Sequence, residues 1–376
     1  MSTKIIFHLN SLGYGGTEKA VLTFCQNLDR SKYSCFIFVN YKKSPLRYLR
    51  YRILSFFSNR AKNKFIKKFV SPLVRKEQFA NVVGEANLWI GNLVEFFKFV
   101  DETKPDILHF NRGDWSDYYD RIIVDLPDNI HCVETNIFGK PPSDSYLNRL
   151  DKIYFVSHWL INKSNWHKSK GKVLFNPIKA PATSENLRDK LGIPSDVFVM
   201  GRISRPDLVD DLFLIDMLKD FTGKKFVLII VAGSDQLKRA ATGVESVIFL
   251  EPTINEVLLS KFYNTIDILL HHRIDGETFG MNIAEGMMHG KPVISHLSHV
   301  DNAQAELLDE KEDGVVGFVS KEHDMKEYVS NIKKFMEDPD LLKNASDNAH
   351  RRAFRLFHEA VVTKELESNY RLLLAK

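Results

Sequence analysis

Short apolar runs, many of them rich in β-branched residues, alternate with segments of helical periodicity along almost the whole chain. Six runs that predict strands precede residue 176, namely Lys4–Asn10, Ser34–Asn40, Ile107–Phe110, Ile130–Glu134, Lys152–Val156 and Lys172–Phe175. Five more follow it, namely Phe198–Gly201, Phe226–Ala232, Val247–Leu250, Ile266–Leu270 and Pro292–Ser295. Strands separated by helix-length segments favour parallel sheets with helices on both faces. The alternation therefore predicts an α/β fold.

A segment rich in proline and small residues divides this alternation into two halves. It begins with Asn176-Pro177-Ile178 and continues through residues 180–184. A chain of 376 residues is long enough for two domains of ordinary size. We predict two doubly wound, Rossmann-like domains, 1–178 and 179–355, that face each other across a cleft where ligands bind. The pattern from Glu327 to the C-terminus is helical.

Composition is that of a soluble globular protein, with 44% hydrophobic and 27% charged residues. No apolar run approaches the roughly 20 residues of a transmembrane helix. The N-terminal run Lys4–Leu9 is too short for the core of a signal peptide. Cys25, Cys35 and Cys132 show no metal-ligand spacing and indicate a reducing compartment. We expect a cytoplasmic protein.

Basic charge is concentrated in residues 42–76, which contain twelve Lys or Arg and no acidic residue. Leu46, Leu49, Ile53 and Phe56 follow helical spacing there. A basic amphipathic helix of this kind suits an anionic membrane surface. An alternative is a solvated helix whose apolar side packs on the first domain. Nucleic acid fits less well, because the aromatic residues lie on the apolar face rather than interleaved for stacking.

Two glutamates eight positions apart, Glu277 and Glu285, bracket the turn 278–282. The apolar run 266–270 precedes this turn, and a short helix that ends at Gly290 follows it. A loop that opens a helix exposes free N–H groups at the positive end of the helix dipole, where a phosphate or a sugar hydroxyl can bind. Carboxylates accept hydrogen bonds from ribose or hexose hydroxyls. The alternative for one glutamate in a first turn is compensation of the dipole.

Two further loops carry residues suited to an anionic ligand. The loop after the first strand contains Gly15 and Gly16, but Glu18 stands where a nicotinamide-binding fingerprint needs glycine. It is either a glycine turn for close approach of a phosphate or sugar, or simply a turn. Arg202 and Arg205 follow a later strand, and the guanidinium fork suits a diphosphate. The alternative is two solvated surface arginines.

The sequence resembles retaining glycosyltransferases of the GT-B fold, family 4 (glycosyl transferases group 1). The resemblance rests on four segments that occur together and in this order: Gly15-Gly16, Asn176-Pro177-Ile178, Gly201-Arg202 and the Glu277…Glu285 segment. That family uses nucleotide-sugar donors. We expect no metal cofactor. The resemblance covers nearly the whole chain. It also implies that a C-terminal helix, residues 356–376, crosses back to the first domain.

The resemblance assigns roles to individual residues. It implies that Glu285 holds the ribose hydroxyls and that Arg202 neutralises the leaving diphosphate. It implies that Glu277 and the loop after it hold the donor sugar, the loop residues being Phe279, Gly280, Met281 and Asn282.

Two positions depart from the family pattern. Leu208 stands where the family commonly has a lysine, and Arg205 is the nearby candidate for that charge. Asn111 stands where many members have a histidine. We expect Asn111 to take that place, with His109 and Asp114 as alternatives; each of the three also has a plain interpretation as a loop-capping residue.

The expected chemistry follows from the charge that develops on the departing diphosphate. Fixed cations and helix N-termini facing it lower the barrier. No acidic triplet suggests a metal, and adjacent His271 and His272 at a strand end point to opposite faces. The resemblance implies same-face attack by the acceptor hydroxyl with retention of configuration. The basic segment favours a lipid-linked glycan acceptor, cell-surface polysaccharide synthesis and a peripheral position at the inner face of the membrane. Alternatives are a non-catalytic sugar- or lipid-binding protein and a GT-B epimerase or phosphorylase.

Overall fold

The computed structural model describes residues 2–41, 50, 52–54, 71–113, 117–204 and 212–375. Contacts divide the chain into two compact units. The first unit contains Met1–Pro177 and Val362–Lys376, and the second contains Ile178–Val361. The basic segment 42–76 lies largely outside the described residues. Arg205, Leu208 and Asp114 lie outside them as well.

The first unit is an α/β layer structure around one parallel sheet. Its described strands are β1 (Thr3–Leu9), β2 (Tyr33–Asn40), β3 (Leu88–Gly91), β4 (Ile107–Arg112), β5 (His131–Asn136), β6 (Lys152–Phe155) and β7 (Gly171–Val173). Its described helices are α1 (Gly16–Asn27), α2 (Lys76–Val83), α3 (Leu93–Thr103), α4 (Asp117–Asp125), α5 (Asp144–Arg149) and α6 (His158–Lys163). The sheet order is β3-β2-β1-β4-β5-β6-β7, with all neighbours parallel. This is the order of a doubly wound Rossmann-like sheet.

Local sequence explains several of these helix boundaries. Asn92 begins α3 with a capping box, because its side chain accepts from the N–H of Glu95 while the Glu95 side chain accepts from the N–H of Asn92. Ser143 and Ser157 cap α5 and α6 through their hydroxyl groups. The strands supply the core, in which Ile5, Phe7 and neighbouring side chains are completely buried.

The second unit repeats the architecture with a smaller parallel sheet. Its strands are β8 (Phe198–Ile203), β9 (Phe226–Val231), β10 (Val247–Leu250), β11 (Ile268–Leu270), β12 (Gly276–Glu277), β13 (Val293–His296), β14 (Asp301–Asn302) and β15 (Gly317–Ser320). Its described helices are α7 (Arg188–Leu191), α8 (Phe213–Asp216), α9 (Asp235–Ala240), α10 (Glu256–Thr265), α11 (Met281–Met288), α12 (Ala303–Leu307), α13 (Met325–Glu337) and α14 (Pro339–Phe357). The main sheet has the order β10-β9-β8-β11-β13-β15, and β12 pairs with β14 separately.

The last helix, α15 (Glu359–Leu374), takes the chain into the first unit. Val362, Leu366, Tyr370 and Leu373 recur at intervals of three and four residues, which places them on one helix face. All four belong to the core of the first unit. The chain therefore begins and ends in the same unit.

The predicted α/β fold with two parallel sheets is confirmed, and each of the eleven predicted strands overlaps an observed one. Two strands of the main sheets were not predicted. β3 and β15 are each four residues long, contain a terminal glycine, and lie at a sheet edge. Such short runs carry little periodic signal. Among the described residues, no helix combines the length and apolarity needed to cross a bilayer.

Candidate functional site

The strand order reverses once in each sheet, between β1 and β4 in the first unit and between β8 and β11 in the second. Two strands that meet at such a reversal send their following loops to opposite faces. The carboxyl ends of the strands are then left open, and ligands bind there in doubly wound folds. Arg202 lies near the end of β8, and Asn111 lies near the end of β4. Arg202 and Asn111 therefore lie at the topological switch points of their own units.

In the second unit, Arg202 lies at the carboxyl end of β8 with only 6% of its surface exposed. Its Nη1 donates to the Ser204 hydroxyl at 3.0 Å. Burial lowers the pKa of nearby His272 to about 2, and electrostatic interactions with neighbouring groups, including Arg202, lower it further. Arg202 thus lies near the histidines that follow β11 and end β13.

The turn that leads into α11 requires glycine at two positions. Gly276 has φ +65° and Gly280 has φ +99°, in the region that other residues rarely adopt. A Cβ at Gly276 would also collide with the carbonyl oxygen of Asp301, because β12 pairs with β14 at this residue. Gly280 is the last residue before α11. The loop conformation predicted around the double glutamate is set by these two glycines.

Helix α11 begins at Met281, beside the end of β8. The Asn282 side-chain amide donates to the carbonyl oxygen of Ile203 at 3.1 Å. Phe279 is buried, and its ring packs edge-on against Phe357 at 5.5 Å between centroids. The Phe279 side chain therefore anchors the turn within the second unit. The N–H groups of the first turn of α11 lie near the strand that carries Arg202.

Glu285 lies in the second turn of α11 and is 8% exposed. Its Oε2 accepts from the Tyr263 hydroxyl at 3.0 Å. Burial raises the pKa of Tyr263 well above its usual value, and the Glu285 carboxylate raises it further. Tyr263 in turn stacks on His289 at 4.7 Å. The Glu285 carboxylate is thus held in place by α10.

The Glu277 carboxylate accepts hydrogen bonds from two protein side chains. Its Oε1 accepts from His271 Nε2 at 3.2 Å and from Arg273 Nη1 at 3.1 Å, and its Oε2 also accepts from Arg273 Nη1 at 3.1 Å. Burial alone would raise the pKa of Glu277, but the hydrogen bonds from His271 and Arg273 and their electrostatic attraction outweigh it, so the pKa is lowered. Glu277 is therefore an ionised carboxylate at neutral pH.

The two adjacent histidines face different surroundings, as predicted. His271 contacts Ser295 and Glu277. His272 stacks on Phe213 at 4.0 Å and lies 4.3 Å from the ring centroid of His296. Within the part of the chain that the structure describes, no group of three or more His, Cys, Asp or Glu is arranged to hold a metal ion.

In the first unit, Gly15 precedes α1 and Gly16 is its first residue. The Glu18 carboxylate folds back to the Ser11 hydroxyl and lies against Gly15, where a Cβ would collide with it. A negative charge already lies at the start of α1. Like charges repel, so this loop suits a sugar hydroxyl better than a phosphate.

Asn111 lies within β4 rather than beyond it, because the strand continues to Arg112. It is 6% exposed, and its amide donates to the carbonyl oxygen of His109 at 3.3 Å. Asn111 lines a small pocket together with Thr17 of α1 and Thr135 of β5. Asn111 and the first turn of α1 therefore border the same space.

His109 has a different environment from the one considered for it. Its Nδ1 contacts the Tyr370 hydroxyl at 2.6 Å, and its Nε2 contacts Thr135 Oγ1 at 2.8 Å. Burial lowers its pKa to about 3. Both ring nitrogens are engaged inside the first unit, so His109 joins β4 to α15 rather than standing ready for a ligand.

Sequence reasoning missed four residues that hold the predicted ones in place: Ser295, Arg273, Gln304 and Tyr263. Arg273 precedes Glu277 by four positions, a spacing from which an ion pair could have been suspected. Gln304 and Tyr263 reach their partners from 27 and 22 residues away. Nothing in the local sequence indicates such pairings.

Residues 183–352 match the family model of glycosyl transferases group 1. This segment is just under half of the chain and lies within the second unit. D-inositol 3-phosphate glycosyltransferase from Thermomonospora curvata is 24% identical over 201 residues. The match covers 49% of this chain and 45% of that relative, so the chain spans less than half of the relative's length.

Solved structures match over nearly the whole chain. A glycosyltransferase from Rickettsia africae has a TM-score of 0.72 and 15% identity, covering 99% of both chains. HepE from Anabaena in complex with UDP has a TM-score of 0.70 and 18% identity, covering 98% of this chain and 100% of the other. Sucrose-phosphate synthase from Thermosynechococcus elongatus has a TM-score of 0.67 and 15% identity, covering 99% of both chains. The likeness is one of fold, and the fold is the GT-B fold.

Proposed function

We propose that this protein is a glycosyltransferase that moves a sugar from a nucleoside-diphosphate sugar to a hydroxyl of a glycan or lipid-linked glycan. The match of residues 183–352 to glycosyl transferases group 1 and the GT-B fold support this proposal. The observation that carries it is the bond from Asn282 to Ile203, which brings the start of α11 beside the strand of Arg202. A helix N-terminus and a buried arginine together suit a diphosphate.

In the proposed complex, Arg202 and the first N–H groups of α11 face the diphosphate. The Glu285 carboxylate accepts from the ribose hydroxyls, and Glu277 accepts from the donor sugar. Charge that develops on the leaving diphosphate is stabilised by groups already in place before reaction. Removal of one such donor typically lowers the rate by about 10²–10³. Arg202→Met is therefore expected to lower turnover far more than nucleotide binding.

The reaction we propose retains the configuration at the anomeric carbon. The acceptor oxygen forms its bond to that carbon on the face from which the phosphate oxygen departs. The acceptor proton passes to the leaving phosphate oxygen, so no protein nucleophile is needed. An NMR spectrum of the product taken early in the reaction reports the anomeric configuration, and an inverted product would contradict this step.

We propose that the positive charge comes from the protein rather than from a metal. Arg202 is the central cation, with Arg205 as the second sequence candidate. Turnover measured with an excess of EDTA is expected to equal turnover without it. A loss of activity that Mg²⁺ or Mn²⁺ restores would contradict metal independence.

The acceptor we propose is a lipid-linked glycan, used in cell-surface polysaccharide synthesis at the inner face of the membrane. The support is the run of basic residues in 42–76. Of its described residues, Ile53 and Leu54 are exposed. Sedimentation with vesicles that contain phosphatidylserine should exceed sedimentation with neutral vesicles and decline as salt rises. Equal sedimentation would remove this support.

A thermal-shift screen against UDP, GDP, ADP, CMP and dTDP tests the donor proposal. A nucleotide at about 100 times its Kd should add about 2.7 kcal/mol of stability. Glu285→Ala should reduce that shift, whereas Glu251→Ala, at an exposed glutamate of the same unit, should leave it unchanged. No shift with any nucleotide would contradict the proposal and favour a binding protein of the same fold.

A further inference from the structure

The Glu277 carboxylate is nearly saturated by its own protein. An ionised carboxylate offers about four lone-pair sites and no donor. His271 and Arg273 occupy both sites on Oε1, and Arg273 occupies one on Oε2. Among the described residues, this leaves one acceptor site, on Oε2. The side chain is 14% exposed, so a ligand can reach it.

The Glu277 carboxylate determines which nitrogen of His271 carries hydrogen, and the Ser295 hydroxyl contacts the other nitrogen. Because the Glu277 carboxylate can only accept, His271 Nε2 must donate to it. In a neutral ring Nδ1 is then an acceptor, and the Ser295 Oγ at 2.9 Å is its donor. Ser295 is completely buried in β13. Ser295, His271 and Glu277 thus form a chain of hydrogen bonds with a fixed direction.

The main chain of Glu277 is fixed as well. Its N–H donates to Gln304 Oε1 at 3.0 Å. The Gln304 amide donates in turn to the carbonyl oxygens of His296 at 2.9 Å and Asp301 at 3.2 Å. Gln304 has no exposed surface. It therefore joins β12, β13 and β14 at the residue whose carboxylate faces the proposed donor.

We propose that His271, Arg273 and Gln304 are positioning residues that hold Glu277 as an acceptor for a single hydroxyl of the donor sugar, and that Ser295 supports His271 by donating to its other ring nitrogen. This inference rests on the proposed function. It specifies which part of the donor depends on these residues: the sugar, and not the nucleotide.

Calorimetric titration with three matched pairs of ligands tests the distinction. The pairs are UDP with UDP-glucose, GDP with GDP-mannose, and ADP with ADP-glucose. Arg273→Met should weaken binding of the sugar nucleotide by about tenfold or more, because hydrogen bonds to a charged group are lost. Binding of the matching nucleoside diphosphate should change less than about twofold.

Two control variants accompany this measurement. Arg273→Lys keeps a cation and should recover part of the affinity, and Arg355→Met removes an exposed ion-paired arginine of the same unit and should have no effect. Equal weakening of both members of a pair by Arg273→Met would overturn the positioning role. Full affinity for the sugar nucleotide in Arg273→Met would overturn it too.

The tautomer of His271 is measured directly from its ¹⁵N chemical shifts, with no ligand present. Wild-type protein should show hydrogen on Nε2, and Ser295→Ala should leave it there, because the Glu277 carboxylate that requires a donor is unchanged. Hydrogen on Nδ1 in the wild type would overturn this arrangement. If the wild type binds no member of any pair, the proposed function fails and the sugar-directed role fails with it. The ¹⁵N shifts still decide the arrangement around Glu277.

Discussion

At the scale of single residues, a buried ion pair in the first unit is the feature whose stability depends most on both partners being present. Arg112 Nε and Nη2 donate to the two carboxylate oxygens of Glu134 at 2.9 and 3.0 Å, and neither side chain is exposed. Asn136 and the carbonyl oxygen of Lys140 complete the network. Desolvation of two charges offsets much of their attraction, so the pair is sensitive to the loss of either partner.

Arg112→Met should therefore lower the free energy of unfolding by about 3–5 kcal/mol, because it leaves the Glu134 charge buried and unpaired. The double variant Arg112→Met/Glu134→Leu should recover most of this loss. Urea unfolding of the two single variants and the double variant gives the coupling energy. Losses that simply add in the double variant would show that the two side chains are not coupled.

The candidate site shows how far residue types can be interpreted without a structure. Glu277, Glu285 and Arg202 are candidates from sequence because carboxylates and arginines near a strand-loop-helix pattern carry recognisable chemistry. Their supports, such as Gln304 and Ser295, are ordinary polar residues whose meaning depends on long-range pairing. His109, an alternative to Asn111 in the sequence, lies within β4, where Tyr370 and Thr135 engage both of its ring nitrogens.

At the scale of elements, neighbouring strands β1 and β4 each bury a histidine. Burial is the largest cause that lowers the pKa of His8 and of His109 to about 3. In the unfolded chain a histidine binds its proton near pH 6.5. Between about pH 6.5 and 3 the unfolded state therefore binds more protons, and stability falls as pH falls.

Urea unfolding at several pH values between 7.5 and 5 should show this decline, with each histidine contributing up to about 1.4 kcal/mol per pH unit. His8→Phe should reduce the slope by the share of one proton. The relevant quantity is the slope and not the absolute stability, which repacking among aromatic rings also changes. A slope equal to that of the wild type would show that His8 is protonated in the folded state.

Two glycines with the same φ angle allow the cost of backbone strain to be distinguished from the cost of a steric collision. Gly276 and Gly192 both have φ +65°. A Cβ at Gly192 would meet nothing within 4 Å, whereas at Gly276 it would collide with the Asp301 carbonyl oxygen. Gly192→Ala should cost about 1–2 kcal/mol, from the left-handed conformation alone.

Gly276→Ala should cost clearly more, because β12 and β14 must also move apart. Thermal unfolding of both variants measures the difference. Gly276→Ala should further weaken binding of the nucleotide sugar, since Glu277 is the next residue. Equal stability losses in the two variants would show that the β12–β14 pair yields easily.

At the scale of the whole molecule, sequence periodicity was sufficient to predict two parallel sheets, because strands buried on both faces are continuous apolar runs. The edge strands β3 and β15 were not predicted, because each is only four residues long and has too few apolar residues to form such a run. The way α15 completes the first unit could be expected only from the resemblance, because its apolar stripe fits any core. The basic segment 42–76 lies largely outside the described residues, and its role stays a prediction.

The packing of α15 in the core of the first unit has a testable consequence for stability. Leu366 is completely buried in the core of the first unit, while Leu372 on the same helix is 66% exposed. Leu366→Ala should cost about 2–5 kcal/mol through lost burial and the cavity left behind. Leu372→Ala should cost less than about 0.5 kcal/mol, as expected for a surface substitution.

Hydrogen exchange shows which strands lose protection when Leu366→Ala lowers stability. Leu366→Ala should speed exchange in β1 and β2, more than three hundred positions earlier in the chain, because the same core holds both. Amides of β8 and β11 lie in the second unit and should keep their protection. Faster exchange in the second unit alone would contradict the assignment of α15. Faster exchange in both units to the same extent would show that the chain unfolds as one cooperative body, with its last helix as part of that body's core.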